Sequence, residues 1–159
     1  MTVSQEAGGD RLAIARRFFD AIAHGRLLGM TPDEATRDSV LARLPYREEL
    51  VGNPATGVIH GGVITTLVDE TSGAAVLVTL GTPEAIATLD LRIDYLSPAE
   101  PHRDTFARSQ CYRITRHIAF VRCTVYQSAP DSPIATSMST FMRTGGRRLR
   151  RTARVGASS

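Results

Sequence analysis

Gly57-Val58-Ile59-His60-Gly61-Gly62-Val63-Ile64-Thr65-Thr66-Leu67-Val68-Asp69-Glu70-Thr71-Ser72-Gly73 sets a His-Gly-Gly turn at the mouth of an apolar helix and two adjacent acids inside it. The first four amides of a helix have no acceptor within it, and the macrodipole adds positive potential at that end. A mouth entered through glycines therefore suits an anion or an oxyanion. Asp69 follows Gly62 by seven residues, close to two turns, so it returns to the face of the mouth about 10 Å along the axis. Glu70 points about 100° away from it.

The helix is expected over Gly61 to Leu80. Val63, Leu67, Ala74 and Leu77 make one apolar stripe, and Ile64, Val68, Ala75 and Val78 make the next. A helix apolar on nearly all sides is buried. The stripe that remains, Gly62, Thr66, Asp69 and Gly73, is narrow and centred on Asp69, so it faces a cavity or a partner. An acid in so apolar a helix is expected to be desolvated, and such acids cluster at functional sites. The competing reading is a structural ion pair between Asp69 and an arginine.

Working outward, residues 1–9 are small and polar and read as a disordered tail. Asp10 is a good N-cap for an amphipathic helix carrying Leu12, Ala15, Phe19, Ile22 and Ala23, ended near Gly25 within residues 10–27. Arg26 to Arg37 reads as a short strand or loop, Ser39 to Tyr46 as a strand, and Arg47 to Thr56 as a loop. After the turn Gly81-Thr82-Pro83, strands are expected over Ala85 to Leu96, Phe106 to Ile114, Ile118 to Gln127 and Ile134 to Met142. In the first of these, alternation puts Ile86, Thr88, Asp90, Arg92 and Asp94 on one side and Ala87, Leu89, Leu91, Ile93 and Tyr95 on the other. One long buried helix followed by antiparallel strands means α+β, with a strongly curved sheet wrapping the helix.

Composition bounds the function. A chain of 159 residues, 42% apolar and 22% charged, is one folded domain with tails. All 19 basic residues are arginine, and six of them fall in the segment from Arg143 to Arg154. The body up to residue 142 then has thirteen arginines against sixteen acids, a charge of −3 under an overall +3. The basic balance belongs to residues 144–159, an Arg-rich stretch without apolar period that reads as a disordered tail, and an acidic body argues against nucleic acid as partner. His60, Thr65, Thr66, Asp69 and Glu70 interrupt the longest apolar stretch, so no membrane span is expected. The N-terminus lacks the pattern of a secretory signal, which leaves the cytoplasm as the expected compartment. Cys111 and Cys123 lack CxxC spacing and read as buried free thiols, and no pattern of metal ligands appears.

Gly52-Asn53-Pro54-Ala55-Thr56-Gly57-Val58-Ile59-His60-Gly61-Gly62, with Leu67-Val68-Asp69, Gly73-Ala74-Ala75 and Thr88 through Tyr95-Leu96-Ser97-Pro98, resembles the hotdog-fold thioesterases of the phenylacetic-acid-degradation, PaaI-like type. The likeness covers roughly residues 28–143. It implies hydrolysis of acyl-CoA thioesters at a site between two subunits, a homodimer and often a homotetramer, and no metal or organic cofactor. It also implies site roles. Asp69 matches the carboxylate that serves as general base or nucleophile, and Gly61 and Gly62 match amides that polarise the thioester carbonyl, with His60 shaping the turn. Thr88 matches a hydroxyl that places the water from the partner subunit, and Asn53 resembles an upstream site asparagine. Glu70, Arg116 and His117 are candidates for substrate binding, the last two through the CoA phosphates, against the plainer reading of solvated hairpin charges. Thioester hydrolysis asks mainly for an oxyanion clamp and a base on water, which a helix end and a carboxylate supply. Two other readings stand beside it: a non-catalytic acyl-CoA-binding or regulatory module on this fold, and a hotdog hydratase or dehydratase, which needs an Asp–His dyad that the position of His60 does not provide.

Overall fold

The helix read from the His-Gly-Gly turn spans Gly61–Leu80, here called α3. The structure is a computed structural model and describes residues 3–144. His60 caps α3 with an extended backbone, and Gly81 ends it in the left-handed conformation at φ 67°, its N–H returning to the Leu77 carbonyl. Thr65, Thr66, Thr71 and Thr79 each donate their hydroxyl to the carbonyl four residues earlier, so the helix carries these polar groups without leaving them unpaired. From Leu67 to Val78 only Asp69 is not buried. By length and composition α3 would qualify as a bilayer span, contrary to the expectation that its polar residues rule this out. Two thirds of it, 67%, is nevertheless buried in the rest of the protein, the position of a core helix.

The preceding chain forms α1 (Val3–Ala21), α2 (Ala23–Leu28), β1 (Thr31–Ala35), β2 (Ser39–Leu44), a single 3-10 turn (Glu48–Leu50), β3 (Val51–Asn53) and β4 (Val58–Ile59). After α3 come β5 (Ile86–Tyr95), β6 (Thr105–Ile114), β7 (Ile118–Tyr126) and β8 (Ala135–Arg143). Six strands make one antiparallel sheet in the order β1-β2-β6-β7-β8-β5, and β3 and β4 pair separately. This is the hotdog arrangement: a curved sheet around a central helix. Its inward residues at the centre are small, Ala107, Ser109 and Cys111 on β6 and Ala119, Val121 and Cys123 on β7, which lets the helix backbone lie close to the sheet. Both cysteines are free and buried, and burial pushes the Cys123 thiol up to about 12.

Three expectations change. The first helix begins at Val3 rather than Asp10, since turns extend at little cost from an established helix across polar residues. It stops at Ala21, and Gly25, expected to end it, lies inside α2, which Gly29 terminates at φ 77°. The strand alternation over 86–95 also breaks. Thr88 pairs with Phe141 and Asp90 with Thr140, so Leu89 is bulged out and is 55% exposed. Beyond the bulge Leu91 and Ile93 pack on the core together with Ile86, so Ile86 and Thr88 share the inner face with the residues they were expected to oppose. The tail expected over 144–159 lies outside the described residues from 145 onward.

Candidate active site

Asp69 and Thr88 meet. The bulge at Leu89 turns Thr88 inward, and its hydroxyl donates to Asp69 Oδ1 at 2.8 Å. The contact lies within one chain. Asp69 takes part in no ion pair among the described residues, so the structural-pair reading has no arginine to stand on. Its other oxygen accepts from no donor among the described residues and remains available to water or substrate. The pair opens on a cavity of about 330 Å³ whose walls include Thr66, Glu70 and Gly73 of α3, Ile86 of β5 and Phe141 of β8. Phe18 of α1, Ile22 at the junction before α2 and His24 of α2 close it, so the N-terminal helices, left without a role in the sequence reading, form part of the wall. At Gly73 an added Cβ would stand 3.0 Å from the Phe18 ring, so a side chain there would close the gap between α1 and α3.

Desolvation falls on the neighbour of the expected residue. Glu70 is 5% exposed and Asp69 is only half-buried. Burial, and secondarily the Asp69 charge, raises Glu70 from 4.5 to about 7. Its carboxyl rests against Gly25 of α2, where an added Cβ would fall 2.2 Å from Oε2.

At the helix mouth the His60 ring accepts the Gly62 N–H through Nδ1 at 2.9 Å, and the Val63 N–H goes to the His60 carbonyl. The expected pair of free amides is thus reduced to one: among the described residues only the Gly61 N–H of this turn lacks an acceptor. Tyr95, whose role the sequence reading missed, fixes the turn from β5. Its hydroxyl donates to the Gly61 carbonyl at 2.7 Å and lies 2.9 Å from Thr65 Oγ1. The Tyr-Leu-Ser-Pro ending of the strand was the available signal. Tyr95, Gly61, Ile64 and Pro98 line a second cavity of about 320 Å³.

Mouth and acid are eight residues apart on α3, about 12 Å along the axis. A carbonyl carbon attacked directly by the carboxylate from about 3 Å, with its oxygen held at about 3 Å by amides, spans about 7 Å, short of that separation. Within one chain the mouth and the acid therefore stand apart on α3. Asn53 joins neither: its side chain accepts the Ala55 N–H at 3.0 Å and its carbonyl the Gly57 N–H, which builds the β3–β4 turn. Arg116 and His117 are exposed in the β6–β7 hairpin, which Arg143 ties to the β8 end through the Thr115 and His117 carbonyls, and neither lines either cavity. Among the described residues no three His, Cys, Asp or Glu side chains come together to hold a metal ion.

An acid–hydroxyl pair and a glycine-entered helix mouth in this fold define a class, and comparison with known proteins agrees. Residues 56–134 match the Thioesterase superfamily, and the chain belongs to that superfamily. The relative YigI of Salmonella typhimurium, a medium/long-chain acyl-CoA thioesterase, is 31% identical over 66% of this chain and 76% of its own length. VNG_1336C of Halobacterium salinarum is 38% identical over 57% of this chain, and the match spans 62% of that protein. A crystal structure from Pseudomonas aeruginosa aligns with TM-score 0.78 and 46% identity over 84% of this chain and 98% of that one. The Escherichia coli PaaI protein, at 16% identity and TM-score 0.76 over 87% and 96%, shares the fold.

Proposed function

We propose that this protein hydrolyses acyl-CoA thioesters to the free acid and CoA. The observation that carries the reading is the Thr88–Asp69 hydrogen bond at the edge of an apolar cavity. Thr88 holds Asp69 through Oδ1, and Oδ2 activates water toward the thioester carbon or attacks it. The oxyanion that develops is met by the Gly61 N–H at a helix mouth, joined by Gly62 when the His60 ring turns aside. Thiolate is a good leaving group, so no strong acid is required at the sulfur. Membership of the thioesterase superfamily and the acyl-CoA thioesterase relatives support this substrate class.

The roughly 12 Å between mouth and acid supports a site shared by two copies, each supplying the mouth to its partner's acid. β5 is an edge of the sheet, ten residues long, with Leu89 and Tyr95 about half exposed, and it is the strand proposed to pair the copies. The test is thiol release from a panel of aryl, short-chain and long-chain acyl-CoA esters. Wild type is expected to turn over part of the panel, and Asp69→Asn to lose about a thousandfold in kcat with its circular dichroism and melting unchanged. Full activity in Asp69→Asn would remove Asp69 from the chemistry.

A further inference from the structure

Two acidic side chains are buried among the described residues, and they differ in their partners: the Glu84 carboxylate pairs with Arg143 at 3.1 Å, whereas Glu70 forms no ion pair. The Glu70 Oε1 is shut from solvent and has no hydrogen-bond partner among the described residues. Oε2 takes no hydrogen bond from the described residues either, and it is not among the sealed atoms. A buried acid without partners costs stability, and a leucine would cost less. The same side chain lines the cavity beside Asp69, on the wall where α3 meets α2, and that cavity also holds the apolar surfaces of Phe18, Ile22 and Gly73, with His24 of α2 as its other titratable neighbour besides Asp69. A polar group on a ligand entering that part of the cavity finds Glu70 as its partner.

Resting on the thioesterase reading above, we propose that Glu70 is a specificity-determining residue that selects acyl groups bearing a hydroxyl partway along the chain, through a hydrogen bond to its carboxyl. Burial raises this acid to about 7, so near neutral pH it can donate to the hydroxyl oxygen as well as accept from its proton. A plain alkyl chain would leave the carboxyl unpaired and lose binding by comparison.

The experiment compares octanoyl-CoA with its regioisomeric hydroxyoctanoyl-CoA esters in wild type, Glu70→Leu and Glu70→Gln. In parallel, binding is measured for octyl-CoA and hydroxyoctyl-CoA thioethers, which lack the carbonyl. At one hydroxyl position kcat/KM is expected to exceed that for octanoyl-CoA by about tenfold. Glu70→Leu should bring that ratio to about one, and Glu70→Gln, which keeps a donor and an acceptor, should retain most of it. Turnover with no favoured position, or a preference that persists in Glu70→Leu, overturns the selection and leaves the hydrolase standing. Thioethers that show a Glu70-dependent hydroxyl preference while no ester is cleaved support the selection and sink the hydrolase reading.

Discussion

Asp69 and Glu70 are neighbours in the chain but not in their surroundings. One is half-buried and held by a threonine, and the other is buried with no hydrogen-bond partner among the described residues. That difference has a consequence for stability. Glu70 binds its proton up to about 7 in the folded protein, against 4.5 for an ordinary glutamate. Below pH 4.5 both folded and unfolded chains hold the proton, and the group adds no pH dependence. Between 4.5 and 7 the unfolded chain releases it while the folded one keeps it, so the unfolded state gains and stability falls as pH rises. Above 7 the folded state carries the full cost of a buried charge. The open cavity lets water reach part of the carboxyl, which reduces this cost to about 2 kcal/mol. Glu70→Leu is therefore expected to exceed wild type in melting temperature by about 4–8 °C more at pH 8 than at pH 4.5. Parallel melting curves for the two proteins across that range would show that Glu70 is paired in solution.

At the scale of elements, α3 was legible to the residue because its ends carry strong local signals: glycines and a capping histidine at one, a left-handed glycine at the other. The strands after it were legible by alternation, with the exception of the one place where a bulge changes which face a residue takes. A bulge is set by pairing with β8, not by residue type, so the inward turn of Thr88 could not be read locally. The same limit applied to Glu70. Its position on the helix was clear, but its burial depends on α2, a six-residue helix whose glycine was taken for a terminator. That docking can be tested by coupling. Gly25→Ala puts a methyl against the Glu70 carboxyl and should cost about 1–3 kcal/mol. In a Glu70→Ala background the cost should drop below about 0.5 kcal/mol, because the space is vacated. Equal costs in the two backgrounds would mean that α2 does not pack on Glu70.

The separation of mouth and acid on α3 turns oligomeric state into a question of activity. If the mouth of one copy serves the acid of another, two differently damaged chains can restore a site that neither has alone. Asp69→Asn damages the acid. Gly61→Pro damages the mouth by removing its N–H, and it does so without breaking the helix, because proline is at home in the first helical position and the preceding His60 is already extended at φ −61° and ψ 132°. The Cβ would approach Tyr95 Oη to 3.3 Å, a shift of a few tenths of an ångström. Each variant alone is expected to be inactive and to sediment as a dimer or larger. When the two are co-expressed in equal amounts, about half of the dimers pair unlike chains, and each such dimer holds one intact site out of two. Activity should then recover to about a quarter of wild type. A mixture as inactive as its parts, with hetero-oligomers confirmed by mass spectrometry, would place the mouth and the acid of each site on the same chain. The intact face in the mixed dimer contains Gly61 of one chain and Asp69 with Thr88 of the other, so recovery would locate the reacting carbonyl between them.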